Sequence, residues 1–87
     1  MKRGDGMRTT TIHIDNIPDV NRLEFFKALG YLSTWCLGSY PYLDIYEDRT
    51  CGENSFVGCY RNEPQGDCLY CMGMVWNKDS EAYSFHS

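Results

Sequence analysis

Only one stretch of this chain repeats its apolar residues at helical spacing, and almost everything after it is short β-type runs cut by turn residues. In "NIPDVNRLEFFKALG", residues 16–30, Val20, Leu23 and Phe26 form one apolar series, and Phe25 and Leu29 form a second. Pro18 is tolerated at a helix start, and Asp19 suits an N-cap or first turn. Gly30 can close the helix in the left-handed conformation, so the helix is expected to end near Leu29. Leu32 and Cys36 also continue the Phe25–Leu29 series, which leaves room for an end as late as Ser33.

Ahead of the helix, "RTTTIHID" alternates, with Thr10, Ile12 and Ile14 on one face and Thr9, Thr11, His13 and Asp15 on the other. Behind it, "YLSTWCL", "YLDIYED", "SFVGCYRN", "CLYCMGMVW" and "AYSFHS" read as strands. They are separated by "GSYP", "RTCGEN", "EPQGD" and "NKDSE"; in "EPQGD", Pro64 presets φ and Gly66 closes the turn. Consecutive strands joined by short turns are antiparallel. The expected fold is therefore α+β, with one helix packed on one face of a five- to six-stranded, mostly antiparallel sheet in β-α-β-β-β-β order. The 87 residues suffice for one domain, expected over 8–87 behind a flexible polar leader at 1–7.

A single helix covers only one face of such a sheet. The expected core joins Ile12, Ile14, Phe25, Leu29, Leu43, Ile45, Val57 and Val75. The other face would then display Tyr42, Asp44, Tyr46, Phe56, Tyr60, Tyr70, Met72, Met74 and Trp76, an apolar and aromatic surface of the kind that marks an interface.

Composition narrows the function classes. The net charge is −4 and the basic residues are scattered, so no nucleic-acid footprint is expected. No apolar run approaches the ~20 residues of a membrane helix, and no signal peptide opens the chain, so a cytoplasmic protein is expected. The five cysteines, Cys36, Cys51, Cys59, Cys68 and Cys71, are an odd number without an export signal, which favours free thiols.

"GDCLYCMG" has the Cys-x-x-Cys spacing of half a zinc knuckle. If the strand starts before Cys68, residues three apart point to opposite faces and cannot share an ion. If it starts after Cys71, a turn can bring both thiolates together. The alternating rows Tyr70, Met72, Met74, Trp76 and Leu69, Cys71, Gly73, Val75 favour a long central strand covered on both faces, hence no metal. Were zinc bound, its ligands would come from Cys51, Cys59, Cys68 and Cys71.

Catalytic machinery is not expected. There is no phosphate-cradling glycine loop, no Gly-x-Ser-x-Gly and no His-Glu-x-x-His, and nothing pairs a cysteine with His13 or His86. The stretch "IHIDNIPDVNRLEFFKALGY", residues 12–31, resembles the opening of a vicinal-oxygen-chelate module, in which a His-bearing strand precedes a helix ending in Leu-Gly-Phe. That resemblance implies a homodimeric metal or small-molecule binding module, with His13 near the first metal ligand and Gly30 at the helix end.

The leading expectation is a small non-catalytic protein, without a cofactor, that docks on another protein. In size and character it resembles the accessory inhibitors encoded by phages and other mobile elements. Its contact residues are expected to be Tyr42, Asp44, Tyr46, Glu47, Asp48, Tyr60 and Trp76, facing a partner with a basic surface or a second copy of the chain.

Overall fold

The computed structural model describes residues 8–35 and 39–87. The expected leader at 1–7, the end of the "YLSTWCL" strand at Cys36 and Leu37, and Gly38 of the following turn lie outside the described residues.

Strand β1 (Thr9–His13) leads through a 3-10 turn (Asp19–Asn21) into helix α1 (Arg22–Thr34). Four strands follow: β2 (Tyr42–Glu47), β3 (Phe56–Arg61), β4 (Tyr70–Asn77) and β5 (Ala82–His86). They form one five-stranded sheet in the order β1-β2-β3-β4-β5. β1 and β2 run parallel, as a crossover through α1 requires, and the remaining pairs are antiparallel. The described residues thus form an α+β domain with one α-helix and a mixed, mostly antiparallel sheet.

The helix outlasts its expected end. Tyr31–Thr34, expected to open a strand, continue α1, and Trp35 N–H bonds Tyr31 O at 2.9 Å. Gly30 is an interior, exposed helix residue and does not cap. The physical cause is burial. Phe25, Ala28, Leu29 and Leu32 form a continuous stripe against the sheet, and stopping at Leu29 would forfeit the fully buried Leu32.

Arg8 finishes the job a C-cap would do. Its Nη1 donates to Leu32 O at 3.3 Å, to Ser33 O and to Trp35 O at 2.9 Å, and its Nε donates to Tyr40 O at 2.8 Å. A cation placed on the last carbonyls satisfies groups the helix leaves open and complements the negative end of its dipole.

Strand register decides which side chains meet the helix. Ile45 pairs with Gly58, and Gly58 with Met72. The covered rows are therefore Ile12 on β1, Leu43 and Ile45 on β2, Phe56 and Tyr60 on β3, Met72 and Met74 on β4, and Phe85 on β5. Phe25, Leu29, Leu43 and Ile45 are buried as expected, and Ile12 and Ile14 pack half-buried at the rim. Val57 and Val75 are not core; they lie half-buried on the helix-free face. β3 and β4 carry apolar residues in both alternating rows, and the larger row, Phe56, Tyr60, Met72 and Met74, goes inward because it removes more apolar area from water. Of the residues expected on the open face, Phe56, Tyr60, Met72 and Met74 are core and Tyr70 and Trp76 lie half-buried on the helix side, whereas Tyr42, Asp44 and Tyr46 stay on the helix-free face.

Two glycines test this packing in opposite directions. A Cβ at Gly58 would sit 3.1 Å from Leu43 Cδ1 and 3.4 Å from both Ile45 Cδ1 and Leu32 Cδ1. Those neighbours are fully buried and cannot retreat, so Gly58→Ala should cost about 1–3 kcal/mol. At Gly30 a Cβ meets nothing within 4 Å, so Gly30→Ala should stabilise by roughly 0.5–1 kcal/mol. Urea midpoints at constant m-value measure both. A Gly58→Ala midpoint at or above the parent's would contradict the helix–sheet contact described.

Candidate functional site

The helix-free face carries a polar network centred on Asp44. His13 Nε2 lies 2.8 Å from Asp44 Oδ1, and Arg61 Nε donates to Asp44 Oδ2 at 2.8 Å. Arg61 Nη2 donates to the Tyr46 hydroxyl at 3.2 Å, and Nη1 to Gly66 O at 2.6 Å. The His13 and Tyr46 rings stack at 4.7 Å and 9°. Register makes this possible, because His13 is the cross-strand partner of Tyr46, and Arg61 that of Tyr42. Partial burial works against the charged Asp44, but the bonds from His13 and Arg61 outweigh it and hold the carboxyl below its ordinary 3.8.

Beside that network the same face brings three thiols together. Cys59 and Cys71 are direct cross-strand partners on β3 and β4, and Cys59 is also the partner of Asp44 on β2. β4 begins at Tyr70, between the two cysteines of the Cys-x-x-Cys pair, so Cys68 stands outside the strand and turns onto the Cys71 side. The turn that returns it is closed by Gly66 N–H to Glu63 O at 3.0 Å, and Leu69 N–H then bonds Tyr60 O at 2.9 Å. The Cys68 and Cys71 sulfurs lie 2.9 Å apart and those of Cys59 and Cys71 3.9 Å apart. Burial, then the neighbouring Cys68 thiol, pushes Cys59 up to about 12. The Cys68 thiol and burial push Cys71 up as well. β4 is covered on one face only, so Cys71 is exposed where a doubly covered strand had been expected.

Cys51 is elsewhere. It ends a 3-10 turn (Arg49–Cys51), and its thiol donates to Asp48 Oδ2 at 3.3 Å. Among the described residues, the group of three or more Cys, His, Asp or Glu side chains close enough to share an ion is Cys59, Cys68 and Cys71. His13, the metal-ligand position of the vicinal-oxygen-chelate resemblance, is engaged with Asp44, and Gly30 is not at the helix end.

The expected contact residues are dispersed. Tyr42, Asp44 and Tyr46 share the helix-free face. Glu47 pairs with Arg49 at 3.1 Å, and Asp48 accepts from Thr50 N–H in the loop after β2. Tyr60, expected on the open face, is fully buried under the helix, where its hydroxyl donates to Leu32 O at 2.9 Å. Trp76 also lies on the helix side, half-buried, with its ring edge-on to Tyr83 at 5.0 Å.

Trp76 instead borders a groove of about 570 Å³ between the start of the helix and the β4–β5 turn, lined by Asp19, Val20, Asn21, Leu23, Glu24, Trp76, Lys78 and Glu81. Val20 is 93% exposed and Leu23 71%. These residues belong to the first apolar series of the helix, and a signal for them was present. A helix with two apolar stripes and one sheet to lie on must leave one stripe in water. Asn21 is buried at the edge of this groove, with Nδ2 donating to the Tyr83 hydroxyl at 3.3 Å and Oδ1 without a donor among the described residues.

No family model, curated protein or solved structure matches this chain. No described helix is long and apolar enough to cross a membrane.

The Asp44 network predicts a pH dependence. A carboxyl held below 3.8 when folded contributes stability that is present above 3.8 and is lost as the pH falls through its lower folded value. Asp44→Asn should destabilise by roughly 1–3 kcal/mol at neutral pH, through loss of charge-assisted hydrogen bonds. The gap between parent and variant should shrink below pH 3.8, measured by urea titration at a series of pH values. A gap that stays constant into acid would show that Asp44 is not bound as its charged form.

Proposed function

We propose that this chain is a non-catalytic binding protein that docks on another protein through the groove formed by Asp19, Val20, Leu23, Glu24, Trp76 and Glu81. The occupant is a partner segment that sets an apolar side chain next to Lys or Arg. The observation that carries this reading is the exposure of Val20 and Leu23 beside the half-buried Trp76. Large aliphatic side chains this open, grouped around an indole, have the composition of an interface anchor.

The rim supplies the charge complementarity. Three carboxylates, Asp19, Glu24 and Glu81, face one ammonium, Lys78, in the groove. Asp19 pairs with Arg22 at 3.4 Å and Glu24 with Lys27 at 3.3 Å, but such exposed pairs hold their partners weakly and yield to an incoming cation. An acidic rim of this kind steers a basic partner and favours its approach more than it adds affinity. The occupant's apolar part would supply the affinity, at roughly 1.5–3 kcal/mol for each aliphatic side chain fully buried. Blocking a host protein in this way is the style of action of the small accessory inhibitors that the chain resembles in size.

Affinity capture run in parallel on the parent, Leu23→Asp and Tyr46→Ala tests the site. A partner held by the parent and by Tyr46→Ala, but lost by about 2 kcal/mol or more with Leu23→Asp, supports the groove. The opposite pattern assigns docking to the helix-free face and defeats this reading. Leu23→Asp changes an exposed position and should melt within about 0.5 kcal/mol of the parent, so lost capture reports the surface and not the fold.

A further inference from the structure

We propose that Cys59, Cys68 and Cys71 bind one soft metal ion, zinc in the first instance, as three thiolates on the helix-free face, with a fourth position open to water or to a ligand from outside the chain. The three sulfurs lie within 4.8 Å of one another. Tetrahedral zinc with Zn–S bonds of about 2.3 Å sets its sulfurs about 3.8 Å apart. Cys59 and Cys71 already stand at 3.9 Å, fixed by the ladder between β3 and β4. Cys68 stands 2.9 Å from Cys71 and needs to open by about one ångström. It can do so because it precedes β4 and belongs to an exposed segment outside the strands.

Convergence of three thiols, and not two, separates this site from a disulfide. A Cys68–Cys71 bond would bring the sulfurs to about 2.0 Å and leave Cys59 unused beside it. The cluster also sits next to a cation. Arg61 follows Cys59 by two residues on β3 and shares its face, and zinc bound by three thiolates carries one net negative charge. Exposure of Cys68 and Cys71 leaves a path for the ion and for a fourth ligand. Three protein ligands with one open position is the arrangement of zinc sites that exchange a ligand, whereas sites that serve structure alone are closed by four.

The sequence favours no metal here, and the site also differs from the four-cysteine set named for bound zinc by the loss of Cys51, whose thiol donates to Asp48. It is also separate from the groove beside Trp76, so its test and that of the docking reading fail independently.

The test titrates reduced, metal-free, full-length protein with Zn²⁺ against a chromophoric chelator, and separately with Co²⁺ as a spectroscopic probe. One ion per chain is expected, with a thiolate-to-cobalt charge-transfer band and the intense visible absorption of a tetrahedral site. Cys59→Ser, Cys68→Ser and Cys71→Ser should each weaken zinc at least ~10-fold, and Cys51→Ser should leave the affinity unchanged. Equal zinc affinity in the parent and in Cys68→Ser, or cobalt spectra that remain weak and octahedral, would overturn the site. Cys68 lies in an exposed segment before β4, so its variant keeps the fold and is decisive even if substitution within a strand does not.

Discussion

The described structure turns on one junction, where the last carbonyls of α1 meet the buried Tyr60 and the Arg8 guanidinium. Tyr60 is fully buried, packs against Trp35, Tyr40 and Tyr70, and donates its hydroxyl to Leu32 O. Arg8 lies over the same ring at 5.1 Å and donates to Leu32 O as well. A phenol this deep is tolerated only with its hydroxyl paired, and open helix carbonyls under a sheet need donors. Each requirement answers the other. Together they tie β1, β3, the helix end and the approach to β2 into one unit.

That junction has consequences on both sides of the sheet. With Tyr60 inward, Phe56 and Gly58 are inward, and Val57, Cys59 and Arg61 must face out. Register carries the alternation across to β4, placing Cys71 opposite Cys59 on the open side. The same step aligns Asp44 with Cys59, so the polar network and the thiols share one surface. The helix-free face therefore carries the polar network and the thiols, and the most exposed large apolar side chains, Val20 and Leu23, lie at the start of the helix. The two proposals, a docking groove and a thiolate centre, occupy these two different places.

The strands and their turns were legible because each short run is bounded by Gly, Pro, Asn or Asp, and the β-α-β start because helical spacing occurs once. The helix end was legible only as a choice between Leu29, before Gly30, and Ser33, since Leu32 continues the Phe25–Leu29 series; α1 runs to Thr34. Local chemistry offered a cap at Gly30, while the gain from burying Leu32 and the donors supplied by Arg8 exist only once the sheet is in place. The thiol cluster was half legible. Cys-x-x-Cys spacing pointed to it, but parity argued against it on the assumption that the strand includes Cys68; it starts two residues later.

By itself the sequence determined the class of fold, the number of helices and the location of most turns, since periodicity and turn residues act over a few neighbours. It also determined that Phe25, Leu29, Leu43 and Ile45 would be core, because their opposite faces are polar or already assigned. Only the tertiary structure decided the faces of β3 and β4. Both rows of those strands are apolar, so no local preference ranks them, and the choice falls to which row fits beneath a helix that passes over Gly58. That one parity decision moved Tyr60 from surface to core, Cys71 from core to surface, and the thiols of Cys59, Cys68 and Cys71 within reach of one another.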